Sequence, residues 1–263
     1  MINVNRVNAM LWRYTYNMRH SFDRLTDMFY WPAMDLLIWG LTGFYFIKRS
    51  AEFSNLLFII LSGIIFWLVV WRTQYEITTN MLSEIWDKNI VNIFVSPLKI
   101  SEWIAAFMIF GIAKMLISLT FSSMLAFMLF KLNVFMYGFY LIPLIINLIL
   151  TGWAAGFFVA GFLVRFGNTI QTLAWAGVYL IAPFSGIFYP IAILPAWAQK
   201  VSMFVPSSYV FEGIREILFT GSLSTDKITI SLALNLIYLI LSICFFTFMF
   251  HKSRKLGLGR LIQ

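Results

Sequence analysis

Apolar residues in this chain fall in runs of roughly 20, separated by short polar segments that are mostly basic. Runs of that length match a helix crossing about 30 Å of hydrocarbon and exceed what a strand or a soluble amphipathic helix needs. Six of them predict six spans, at about 28–47, 55–71, 103–130, 137–164, 169–189 and 228–250. The helix of span two can continue past Arg72 through Tyr75, Glu76 and Asn80 into water. Residues 5–20 follow another pattern. On a helical wheel Arg6, Arg13, Asn17 and His20 share one face, and Val7, Leu11, Tyr14 and Met18 the adjacent one. This predicts a helix lying in the membrane surface, apolar side down, with arginines near lipid phosphates; the alternative is a solvated basic tail.

The stretch Ser185–Gly221 breaks the rule of long runs. It is mostly apolar, yet Pro190, Pro195 and Pro206 divide it into pieces too short to span singly. Irregular backbone at membrane depth survives only where protein or a wet cavity satisfies its polar groups. A helical hairpin that enters one leaflet and returns meets that requirement; an outer loop with interfacial aromatics is the simpler alternative. The expected fold is therefore all-α: a polytopic membrane protein with six transmembrane helices, an N-terminal interfacial helix and a re-entrant hairpin at about 190–220, in a single domain over residues 1–263.

Composition agrees with this reading. Of 263 residues 61% are hydrophobic and 11% charged, with mean hydropathy +0.84, against about 25% charged in a soluble domain. No cleavable signal peptide is expected, because the first apolar run is long enough to stay as a span. The net charge of +8 is explained by membrane orientation, so no nucleic-acid partner is expected. Twelve basic residues (Arg6, Arg13, Arg19, Arg24, Arg72, Lys88, Lys99, Arg165, Lys252, Arg254, Lys255, Arg260) fall on the side of both termini, and six (Lys48, Arg49, Lys131, Lys200, Arg215, Lys227) on the other. That bias places both termini in the cytoplasm and the broken stretch outside. Gly152-Trp-Ala-Ala-Gly156 offers a small-xxx-small face for close helix contact.

Catalytic chemistry has little to stand on. His20 and His251 sit at opposite ends, Cys244 is the lone cysteine, and no G-x-x-x-x-G-K-[ST] loop occurs to cradle nucleotide phosphates. Two charges fall inside spans, Asp35 and Lys114, at roughly 12–17 Å depth by 1.5 Å per residue. They predict a buried pair between spans one and three, or else a lysine that snorkels and a hydrated aspartate. Glu212 and Arg215, three apart, can pair on the helix after Pro206, with Glu216 beside them. Between spans two and three, Ile90, Ile93 and Phe94 group on one face of a short helix, after Glu84, Asp87 and Lys88 and before Ser96-Pro97. Such a face fits a groove on another protein or rests on lipid, and the pattern does not choose.

The sequence Phe188-Tyr189-Pro190, then Leu194-Pro195-Ala196-Trp197, Phe204-Val205-Pro206 and Tyr209-Val-Phe-Glu-Gly-Ile-Arg215, resembles the signature of type-2 ABC transporter permeases. The resemblance implies a membrane subunit of an ABC exporter, working as a dimer, homodimer before heterodimer, with two copies of a separate ATPase that carries the ATP and Mg²⁺. It implies that spans two and five line the dimer interface. It further implies that Glu84, Asp87, Lys88, Ile90, Ile93, Phe94 and Pro97 belong to a cytoplasmic coupling helix that docks on the ATPase. Pro190, Pro195, Pro206, Glu212 and Arg215 would form a re-entrant outer gate. The implied place is the cell membrane. An ATP-independent channel or carrier is the alternative.

Overall fold

Each predicted span but the fifth folds as one helix over most of its length. The computed structural model of the chain describes residues 2–47 and 54–257; Lys48, Arg49 and Arg260 of the charge count lie outside the described residues. The helices are α1 (Val4–Arg19), α2 (Phe22–Ile47), α3 (Ser54–Trp86), α4 (Ile90–Val95), α5 (Ile100–Phe130), α6 (Leu141–Phe166), α7 (Leu173–Ala176), α8 (Ala196–Ser202), α9 (Pro206–Thr220) and α10 (Thr225–Lys255). No strand occurs among the described residues.

Four helical stretches are long and apolar enough to cross a membrane: Leu57–Trp86, Ile100–Phe130, Val134–Ile170 and Thr225–Lys255. Helix α2 has 26 residues and is not among these four. The expected fifth span is not a continuous helix. Residues 167–184 form short 3-10 and α turns, and Gly177, Pro183 and Gly186 punctuate the run. Pro183 lacks an N–H to continue a ladder, and Gly186 holds φ at +67°, a region costly for other residues. The carbonyls released by the break find partners elsewhere. Ala174 O accepts from Gln74 Nε2 at 2.8 Å and Thr78 Oγ1 at 2.6 Å, both on α3.

Helix α3 is the centre of the bundle, packed against α2, α5 and α6. Lipid tails are as apolar as leucine, so close packing and polar contacts, rather than hydrophobicity, hold such helices together. Gly152 and Gly156 of α6 supply the close approach. A Cβ on Gly152 would collide with Thr73 and with the Val70 carbonyl of α3. Between α6 and α10, Asn235 Nδ2 donates to Asn147 O at 2.9 Å, and Thr151 Oγ1 to Asn235 Oδ1 at 2.8 Å. One face of α10 buries Phe246 and Phe250 and the other looks outward, with Ile237, Ile240, Leu241 and Phe248 exposed.

Two expectations are corrected here. The polar extension of α3 does not enter water: Arg72, Thr73, Gln74, Glu76, Thr78 and Glu84 are all buried within the chain. Arg72 thus leaves the cytoplasmic side of the charge count, and Arg215, also buried, leaves the other. Helix α1 forms as expected, but its apolar face meets protein instead of lipid. Val7, Met10 and Tyr14 are buried, and Tyr14 packs on Phe107 and Phe110 of α5 at ring-centroid distances of 5.4 and 5.7 Å. Trp12 and Tyr16 point outward.

Candidate functional site

The loop joining α3 to α5 is built as a braced corner. Ser96-Pro97 ends α4, as proline disfavours helix in the residue before it. Glu102, in the first turn of α5, is the centre of the brace. Its carboxylate accepts from Lys99 N and Asn3 N, each at 2.9 Å, and pairs with Arg6 at 3.5 Å. Arg6 Nη1 also donates to Pro97 O at 2.6 Å. A second brace joins Arg13 to Glu84 at 2.7 Å, and Asn89 Nδ2 donates to the same carboxylate at 3.1 Å. Trp103 Nε1 donates to Tyr14 Oη at 2.9 Å. Burial and the nearby Glu84 carboxylate hold the Tyr14 phenol well above its usual range, so it stays a neutral partner.

This geometry overturns the assignment of Ile90, Ile93 and Phe94 as a free docking face. Ile90 and Ile93 are buried in their own chain. Phe94 packs edge-on against Trp103 and Phe250, with centroids 5.0 and 4.6 Å away. Glu84 is likewise buried. The outward face of the corner is Trp86, Asp87, Lys88, Asn92, Val95, Ser96 and Pro97. Phe94 ties α4 to α5 and α10, and Arg6 and Arg13 of α1 brace the chain on either side of it.

Deeper in the bundle lies a cluster of balanced charge. Arg72 Nη1 pairs with Asp27 at 2.6 Å and with Glu76 at 3.4 Å, and Lys114 Nζ reaches Glu76 at 2.5 Å. The expected pair of Asp35 with Lys114 is therefore not made. Lys114 lies in the interior, and the carboxylate one helix away is Glu76. Asp35 has no ion pair or side-chain hydrogen bond among the described residues. Two anions and two cations neutralise one another, which makes burial of all four tolerable.

At the other end the prolines act where helices begin. Pro190 precedes a 3-10 turn at Ile191–Ile193, Pro195 caps α8, and Pro206 is the first residue of α9. The predicted pair of short helices is thus present. Arg215 is buried and donates to the carbonyls of Gly186 and Tyr189. Glu212 accepts from Ile191 N at 2.8 Å and lies 3.5 Å from Arg215. These two residues clamp the end of the broken run onto α9.

A cavity of about 420 Å³ opens between α2, α3 and the segment around Tyr179 and Phe188. It is lined by Asp35, four tryptophans and aliphatic side chains of α3.

The family model described as ABC-2 type transporter matches residues 7–219. The chain belongs to that family. It is an integral membrane protein and a transmembrane component of an ABC transporter, from a family whose members lack a nucleotide-binding domain in this chain. No curated protein matches it in sequence. The match takes in the loop between α3 and α5, Arg13 and Glu102 of the brace, the charge cluster and the clamp, and ends within α9; Asn3 and Arg6 precede it. Asp87, Lys88 and Pro97, which the resemblance assigns to a coupling helix, are exposed on the outward side of the corner. Sequence reasoning missed Glu102, Arg6 and Arg13 as the brace, and Asp27, Arg72 and Glu76 as the cluster. The signal was there for the last three: acids and a base at helical spacing on two neighbouring helices.

Proposed function

We propose that this chain is the membrane-spanning half of an ATP-driven exporter, assembled as a homodimer with two copies of a separate ATPase. Six crossings, with α2 and the broken 167–189 stretch added to the four long apolar ones, keep both termini in the cytoplasm of a cell-membrane protein. Helices α8 and α9 form a re-entrant hairpin on the outer side. Ile193, Trp197, Met203 and Phe204 are exposed there, as suits a hairpin set among lipid or a second copy. Trp12 and Tyr16 of α1 suit the inner interface.

The observation that carries this reading is the braced corner. Its outward face carries Asp87, Lys88 and Val95, and its inward side packs on α5 and α10 and is braced to α1. A rigid knob of this kind transmits the closing of an ATPase pair into the bundle, where a lipid-resting helix would yield. Alternating access then follows from movement of α3 and the clamped 186–191 segment relative to the second copy. ATP and Mg²⁺ belong to the partner.

The test is purification of the tagged chain from native membranes in mild detergent. Magnesium-dependent ATP hydrolysis should co-elute with it, and the chain stripped of partners should have none. Transport without any co-eluting hydrolysis would favour a channel or carrier.

A further inference from the structure

Asp35 lies near the midpoint of α2, about 12 Å along the axis from Asp27 by the rise per residue. Asp27 is neutralised by Arg72 at 2.6 Å. Asp35 is not, and it sits exposed on the surface of the chain among apolar residues. A lone carboxylate facing hydrocarbon is expensive, so residues of this kind face a ligand or a wet path. Around it stand Trp31, Trp39, Trp67, Trp71 and Tyr179. Trp67 and Tyr179 meet at 58° with ring centroids 6.4 Å apart. Two further groups in the same cavity are unspent: Trp71 Nε1 and Ser122 Oγ are buried without a hydrogen-bond partner, and Ser122 is 1% exposed.

We propose that this cavity binds a hydrophobic organic cation, with its charge against Asp35 and the aromatic rings and its apolar body against Ile64, Leu68 and Ile187. Aromatic faces attract cations most strongly where water is excluded, and a carboxylate adds to that attraction. The neighbouring cations give an anion no welcome: Arg72 and Lys114 are committed to Asp27 and Glu76. A sugar fits less well, because aliphatic walls would leave most of its hydroxyls unpaired. Trp71 Nε1 and Ser122 Oγ are free to donate to an oxygen on such a ligand. The inference rests on the exporter reading and names its substrate class.

The test uses the full chain in lipid nanodiscs and equilibrium dialysis with tetraphenylphosphonium, a permanent cation whose charge does not depend on pH. Saturable binding above that of empty discs is expected. Asp35→Asn should weaken it about tenfold, and Asp35→Glu, which keeps the charge, should restore affinity to within about threefold. Trp67→Leu should weaken binding as well. Each variant must elute and unfold as the wild type does. Equal binding by wild type and Asp35→Asn would overturn the proposal, as would competition by maltotriose. ATP hydrolysis co-eluting with the chain is scored separately. Hydrolysis without cation binding removes the site and leaves the exporter reading. Asp35-dependent binding without hydrolysis keeps the site and removes the ATP-driven reading.

Discussion

The ammonium of Lys114 lies 2.5 Å from the carboxylate of Glu76, with the Glu76 carboxylate also 3.4 Å from Arg72. Lys114→Met leaves the buried cluster with one anion in excess, the expensive state, and should cost about 3–5 kcal/mol. Lys114→Met with Glu76→Gln restores the balance and should recover much of that loss. Asp35→Leu should not recover it. Thermal unfolding in detergent over a double-mutant cycle measures both couplings, and strong coupling of Lys114 to Asp35 would contradict the cluster.

The two sides of α4 should respond differently to the same change. Ile93 is 6% exposed and Val95 82% exposed. Ile93→Asp buries an unpaired carboxylate and should lower stability by more than about 2 kcal/mol. Val95→Asp should fold with a change within about 0.5 kcal/mol, yet lose the co-eluting ATPase. Loss of the ATPase by Ile93→Asp alone, with stability intact, would restore the inward face as the docking surface.

The clamp predicts a graded series. Arg215→Met leaves the Gly186 and Tyr189 carbonyls unpaired in a buried setting and should cost about 2–3 kcal/mol. Glu212→Gln keeps an acceptor for Ile191 N and should cost about 1 kcal/mol or less. Thermal unfolding ranks the two, and equal effects would mean that the guanidinium holds nothing.

Glu216 ties the end of α9 to the start of α10, accepting from Ser224 N at 3.2 Å and from Lys227 Nζ at 2.9 Å. The Ser224 hydroxyl and then Lys227 pull its carboxyl down to about 2. A lowered folded-state value means that its contribution is complete above the ordinary value of 4.5 and is lost as pH falls towards 2. Hydrogen exchange at Ser224, corrected for the intrinsic rate, should lose protection across that window in the wild type. In Glu216→Gln protection should not change with pH there.

Much of this could be read from residue order, and the limits have physical causes. Helices α5, α6 and α10 are continuous apolar runs, and Pro195 and Pro206 mark helix starts that the structure keeps. The fifth run looked helical because its apolar content is unbroken. Gly177, Pro183 and Gly186 break it, and the break is sustained from α3, where Gln74 and Thr78 satisfy Ala174 O, a contact no local pattern reveals. Periodicity correctly found the apolar faces of α1 and α4. It could not say whether those faces meet lipid or protein, since both are apolar. Glu76 was read as lying in water because the span was ended at Trp71; the structure wraps that polar turn in α2 and α5.

The most direct measurement of the central claim is site-specific photocrosslinking in native membranes. A benzophenone side chain at Val95 lies on the outward face of the corner. One at Phe135, 78% exposed in the turn between α5 and α6, serves as the control on the other side. The account predicts an adduct between the Val95 position and a protein that binds and hydrolyses ATP, and none from Phe135. No ATP-binding adduct at Val95, or the same adduct from Phe135, would contradict it.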